Sequence, residues 1–319
     1  MFGKEKYSRS AFQRLKNLFI TPALQSLTYQ IPEGIKAEVL RLDLIHPVVS
    51  GNKWFKLRVH LETIEHRGIK QFVTFGGAYS NHIAAAAFCA HEMNLKAVGI
   101  IRGEQPARLS PTLSDAQAWG MELFFVSREQ YDEPGKKRLM DLIKQRYPGA
   151  WTIAEGGFDE LGIEGAATLL ESLPRPLPYT HILCAVGTSA MMSGLLRAVN
   201  SPIHITGISV LKNNFQLDTD VVKFMPAGYT QPPHEILHHY HFGGYAKKTP
   251  ELISFMNELY EYEEIPTDFV YSAKLFYGFY DLVRKGYFPE GSKVLIIHCG
   301  GLQGNRSLAP GSLTFPSGH

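Results

Sequence analysis

Apolar residues recur along this chain with two alternating periods. Leu40, Leu42 and Leu44 alternate with Arg41 and Asp43, which predicts a strand closed by Pro47 before a turn at Gly51. Leu57, Leu61 and Ile64 then recur at helical spacing up to Gly68, a C-cap candidate. The alternation continues with strands over 71–75, 97–101, 122–126 and 151–154 and helices over 81–93, 111–119 and 136–146 between them. After Glu155-Gly156-Gly157 a second series predicts a helix over 162–173, a strand over 181–186, a helix over 192–199 and a strand over 204–210. Helices over 251–262 and 272–285 and a buried strand over 293–298 complete it. The proline-rich 174–178 stretch reads as a loop, because the pattern resumes on either side. Parallel neighbours need crossover connections, so the fold class predicted is α/β, with two doubly wound three-layer (αβα) lobes and mainly parallel sheets. In such folds ligand sits where strand C-termini meet helix N-termini.

Composition narrows the partner. The chain has 319 residues, enough for two lobes, and its 32 basic and 30 acidic residues are spread so evenly that no basic stripe points to nucleic acid or a membrane surface. A small molecule is the expected partner. The longest apolar run, 83–90, is far too short to span a bilayer. Cys89, Cys184 and Cys299 are far apart and form no C-x-x-C pair, so neither a disulfide framework nor a zinc site is expected. With no apolar signal region between Met1 and Phe19, these features predict a cytoplasmic protein.

Two stretches carry candidate chemistry. Ser50-Gly51-Asn52-Lys53-Trp54-Phe55-Lys56-Leu57 puts two lysines three residues apart at the start of a helix. Most single lysines are exposed and inert, but a lysine buried beside another cation loses part of its proton and suits an aldehyde cofactor. Gly76-Gly77-Ala78-Tyr79-Ser80-Asn81-His82 puts Ser, Asn and His at another helix start, which serves as a plain N-cap or as an anion site. Gly187-Thr188-Ser189-Ala190-Met191 follows an apolar strand and opens a helix, the geometry that aims backbone N–H groups at a phosphate. His234-Glu235-Ile236-Leu237-His238 is a formal H-E-x-x-H match. Pro232-Pro233 directly before it and the lack of a third histidine argue against zinc, and no metal is expected.

Taken together, these blocks resemble the 1-aminocyclopropane-1-carboxylate deaminase and D-cysteine desulfhydrase family of pyridoxal-phosphate enzymes, with the tryptophan synthase β-like fold. Gly51-Asn52-Lys53 with Lys56-Leu57, Gly76-Gly77 with Ser80-Asn81-His82, Glu155-Gly156-Gly157 with Leu161-Gly162, Val270-Tyr271 with Lys274, and His298-Cys299-Gly300-Gly301 match in order. The resemblance implies pyridoxal 5'-phosphate as cofactor, a homodimer, and a large cofactor domain of 1–50 and 156–319 with a small domain of 51–155 inserted. It implies Lys53 as the lysine that carries the cofactor, with Lys56 and the Gly187, Thr188, Ser189, Ala190 and Met191 loop around its phosphate. Asn81 would meet its phenolic oxygen, and Ser80, Asn81 and His82 the substrate. Tyr271 and Tyr245 are the acid/base candidates, each otherwise a buried aromatic with a satisfied hydroxyl.

The choice of reaction turns on two positions. Deaminases of the family carry glutamate after the tyrosine, against the pyridine nitrogen, whereas Ser272 offers a neutral contact there. Cys299 replaces their leucine with a residue closer to the desulfhydrase threonine. The expected activity is therefore a lyase acting on a small amino acid by D-cysteine desulfhydrase-like α,β-elimination to pyruvate, ammonia and sulfide. A 1-aminocyclopropane-1-carboxylate deaminase and a cofactor-binding protein without efficient lyase activity are the alternatives.

Overall fold

The computed structural model describes residues 10–132, 135–200 and 202–316. Its strands are β1 (Ala23–Leu27), β2 (Lys36–Arg41), β3 (Gln71–Gly77), β4 (Lys96–Arg102), β5 (Glu122–Val126), β6 (Trp151–Thr152), β7 (His181–Val186), β8 (His204–Ser209), β9 (His234–Leu237) and β10 (Lys293–His298). They form two sheets. One has the order β1-β2-β10-β7-β8-β9 and the other β5-β4-β3-β6. Every pairing is parallel except β1 with β2. The sequences of β7 (HILCAV) and β10 (KVLIIH) are apolar runs buried from their second residue onward, as strands covered on both faces require.

The predicted alternation of strands and helices is present, with local departures. The Leu40–Leu42–Leu44 strand is displaced: β2 runs earlier, and Leu42–Leu44 turns into a 3-10 helix that leaves Leu44 exposed. Three alternating leucines carried the reading, and only the first lies in the ladder. The charged or half-exposed β1 and β9 gave no apolar alternation to read, and both sit at sheet edges. The helix expected over 162–173 is Glu160–Ala167 followed by a 3-10 turn at Thr168–Leu170.

Local chemistry starts the helices that matter. Ser80 accepts from the Ile83 amide ahead of the Asn81–Met93 helix, and Ser110 caps Pro111–Ala118, where proline takes the first position. Helix Asn52–His66 buries Trp54, Leu57, Leu61 and Ile64 and packs against Glu160–Ala167. That crossing is close because Gly165 has no Cβ to strike the Phe55 carbonyl. The C-terminal ends of β3, β7 and β10 lead into the Ser80, Gly187 and Cys299 turns, so all three strands deliver their following loops to one region.

Gly51 ties the lysine-bearing helix to that region. Its φ of 72° and ψ of −153° lie where side chains are strained, and a Cβ there would overlap the Cys299 carbonyl. Gly51→Ala is therefore expected to lose about 3 kcal/mol or more of unfolding free energy in urea titration, combining backbone strain with overpacking. Gly68→Ala is the control, with φ of 66° and open space around its Cβ position, and should lose only the strain. Equal losses in the two would overturn the close-approach reading.

Candidate active site

The loops after β3, β7 and β10 and the start of helix Asn52–His66 enclose a cavity of about 750 Å³. Lys53, Lys56, Ser80, Asn81 and His82 line it, as do Gly187, Thr188, Ser189 and Met191, together with Tyr245, Tyr271 and Cys299. Twelve residues from six separate stretches of the chain thus meet on one surface. Two expected positions do not. Ala190 is buried with its amide turned to the Thr188 carbonyl, and Ser272 is fully buried behind the wall.

The two lysines sit at the floor. Lys53 Nζ donates to Asn52 Oδ1 at 2.6 Å and lies 5.7 Å from the centre of the Tyr271 ring. Burial pulls its proton affinity below the ordinary lysine value, against the attraction of Asp268. Lys56 is only 4 % exposed, and burial followed by the charge of Lys53 lowers it further. This is the electrostatic setting in which an amine is partly neutral near neutral pH. Cys299, pushed up to about 12 by burial, remains a thiol.

The phosphate expected at Gly187–Met191 meets a suitable surface. Ser189 holds a φ of 26°, unusual for a side-chain-bearing residue, and its buried hydroxyl has no protein partner. Helix Ala190–Ala198 starts at the same place, with Met191 and Met192 of its first turn lining the cavity. An unpartnered buried hydroxyl, a helix N-terminus and two lysine amines fit a phosphorylated aldehyde.

Tyr271 donates to the Tyr245 hydroxyl at 3.4 Å, and burial raises its proton affinity well above the ordinary phenol value, so it stays protonated. Tyr245 is held near it because Lys274, fully buried and shifted to about 8 by burial, donates to the Gly244 carbonyl at 2.8 Å.

Ser272 requires a correction. It accepts from the Asp268 amide at 2.8 Å and gives its own proton to Asp268 Oδ1 at 2.7 Å, so its hydroxyl is committed away from the cavity. Asp268 receives three further donors, the amides of Val270, Tyr271 and Ser272, each at 2.9 Å. The aspartate four positions ahead of the helix is the sequence signal for this capping role.

His82 Nε2 shares a hydrogen bond with Thr74 Oγ1 at 2.7 Å, and its Nδ1 is buried without a partner. Thr74 Oγ1 also lies 3.1 Å from the Ile153 carbonyl, so its single proton can serve one of the two. Burial and the two lysines lower its pKa to about 3. Thr74, the one hydroxyl in the apolar β3 run, was the sequence signal for this arrangement. The H-E-x-x-H stretch lies on the strand β9 rather than on a helix, with His234 bonded to the Pro232 carbonyl and His238 to Asp218.

Because folded His82 binds its proton only near pH 3 while the unfolded chain binds it near 6.5, its contribution to stability is complete above 6.5 and is lost as pH falls toward 3. Over pH 4–6 the wild type should lose about 1.4 kcal/mol per pH unit more than His82→Gln does. Urea titrations of both proteins across that range measure the difference; parallel slopes would place a protonated imidazole in the folded state.

Several known proteins are similar to this chain. An Arabidopsis thaliana bifunctional D-cysteine desulfhydrase/1-aminocyclopropane-1-carboxylate deaminase, described as mitochondrial, is 27% identical over 300 residues, covering 86% of this chain and 74% of its own. A Rhizobium leguminosarum bv. viciae 1-aminocyclopropane-1-carboxylate deaminase is 26% identical over 280 residues, covering 79% and 82%. A crystal structure of an ACC deaminase homologue superposes with a TM-score of 0.75 at 23% identity, over 93% of this chain and 96% of that one, and shares its fold. The family profile described as pyridoxal-phosphate dependent enzyme matches residues 17–300, and the chain belongs to that family.

Proposed function

We propose that this enzyme is a lyase of small amino acids, acting first on D-cysteine or a close analogue by α,β-elimination to pyruvate, ammonia and sulfide. The observation that carries the reading is Lys53 Nζ lying 5.7 Å from the Tyr271 ring in one cavity, where burial lowers the proton affinity of the amine and raises that of the phenol. Bound pyridoxal phosphate supplies the electron sink that acidifies the substrate's Cα–H. Lys53 Nζ would take that proton, and the Tyr271 phenol would return one to the departing sulfur. The Ser80 hydroxyl, whose oxygen already accepts from Ile83, and the first-turn amides of Asn81–Met93 would hold the substrate carboxylate. Lys56, Thr188, Ser189 and the amide of Met191 would hold the phosphate, and Asn81, whose side-chain oxygen is buried without a partner, would meet the cofactor ring.

The 1-aminocyclopropane-1-carboxylate activity named for the relatives is the second reading. Its substrate has no α-hydrogen and leans harder on a protonated pyridine nitrogen. Position 272 supplies no carboxylate for that proton, which favours the desulfhydrase reading. The inserted small domain of 51–155 is supported by the segregation of β3, β4, β5 and β6 into their own sheet. A homodimer and a cytoplasmic location complete the proposal. Among the described residues no helix is long and apolar enough to cross a membrane.

Lys53→Ala is expected to lose the visible absorption band of the purified protein while keeping its melting transition. Borohydride reduction and peptide mapping should place the cofactor on Lys53 in the wild type, and another lysine would overturn the assignment. Wild-type enzyme should release pyruvate from D-cysteine faster than 2-oxobutyrate from 1-aminocyclopropane-1-carboxylate under identical conditions. The reverse order would transfer the proposal to the deaminase reading, and neither product would leave a cofactor-binding protein.

A further inference from the structure

A second cavity of about 300 Å³ lies in the groove between helices Pro250–Glu263 and Ser272–Arg284. Glu251, Phe255 and Glu258 fall on one face of the first helix, spaced by four and three residues. Tyr277 and Tyr280 fall on the facing side of the second, and Tyr29 closes one end. The walls are aromatic. The Tyr280 ring stands edge-on to Tyr29 at 6.3 Å and to Phe255 at 5.9 Å, and Phe255 stands edge-on to Tyr277 at 5.4 Å.

The charge within this aromatic frame is unbalanced. Glu258 accepts from the Tyr29 hydroxyl at 2.5 Å and Glu251 from the Tyr277 hydroxyl, so each carboxylate is oriented by a phenol and keeps its second oxygen. Arg284 also lines the cavity, but its guanidinium pairs with Asp281 at 3.5 Å, and among the described residues neither carboxylate has a cation within ion-pair distance. Tyr280 adds an independent sign of a missing partner. It is 2 % exposed, its hydroxyl has no hydrogen-bond partner, and its proton affinity is raised by burial first, then by Glu263, and then by Tyr29 and Glu258 on the cavity wall.

We propose that this second cavity binds a small organic ammonium ion. The two carboxylates supply the opposite charge, the ring faces attract a cation, and the Tyr280 oxygen accepts an N–H. An alkali ion, by contrast, would lose hydration without gaining the apolar contact its aromatic walls offer an alkyl group. The site is separate from the catalytic cavity yet shares a helix with it, since Tyr271 at the start of Ser272–Arg284 lines the first cavity and Tyr277 and Tyr280 line the second.

Calorimetric titration of the cofactor-loaded enzyme with ethylammonium chloride tests this, against potassium chloride and sodium propionate at equal ionic strength. Saturable binding of ethylammonium alone is expected. Glu258→Gln and Tyr280→Phe should each weaken it at least fivefold, with melting curves reporting that both are folded, and Glu251→Gln replaces the first if it unfolds. Borohydride-reduced enzyme, whose cofactor linkage can no longer exchange with an amine, should bind ethylammonium as the untreated enzyme does, because the catalytic cavity is not the site. No saturable heat, equal binding of potassium, unchanged affinity in the carboxylate and phenol variants, or loss of binding in the reduced enzyme would each overturn the proposal.

Discussion

The backbone contact between the Gly51 turn and the Cys299–Gly301 turn sets the position of everything else in the catalytic cavity. The Asn52 amide donates to the Cys299 carbonyl at 3.3 Å, the Gly51 amide to the Leu42 carbonyl at 2.7 Å, and the Gly301 amide to Ser50 Oγ at 3.3 Å. Two turns can lie this close only where neither carries a Cβ at the contact. The first turn launches the helix with Lys53 and Lys56, and the second ends β10 in the centre of the large sheet. A side chain at Gly301 would meet the Asn81 amide, so the same turn also touches the small-sheet helix that begins with Ser80 as its cap. An ion pair between Asp115 and Arg306 ties the two parts of the molecule a second time.

Around that junction the electrostatics are those of a site waiting for an anion. Two lysines share a floor with no carboxylate in ion-pair contact with either among the described residues, and burial holds both below their ordinary proton affinity. Asp268, the acidic group that acts on Lys53, spends its oxygens on three amides and the Ser272 hydroxyl. It anchors helix Ser272–Arg284 rather than neutralising the lysines. Charging a buried amine without a paired anion is costly, and a phosphorylated cofactor would offset that cost.

Thr74 and His82 show how burial couples one hydroxyl to a neighbouring ring. The hydroxyl lies within hydrogen-bond distance of both His82 Nε2 and the Ile153 carbonyl, so its single proton and the ring's tautomer are set together. Burial and the two lysines disfavour a second proton on that ring, where an imidazolium would be costly.

Much of this was legible along the chain. Period-two and period-3.6 runs located the interior strands and most helices, because burial on both faces forces continuous apolar segments and crossover helices between them. The ordered glycine, lysine, serine and histidine blocks pointed to one aldehyde cofactor before any geometry was known. Edge strands β1 and β9 were not legible, since a half-solvated strand need not be apolar. What only the tertiary structure decided was the state of polar groups whose partners are distant in sequence. Ser272 looks available until Asp268 is seen to take its proton, and His82 shows no partner until Thr74 is seen beside its Nε2. The Tyr29, Glu258 and Tyr280 cluster comes from three separate segments and exists only once two helices pack. Residue types set which hydrogen bonds are possible; in the interior, where no water substitutes, packing alone selects which are made.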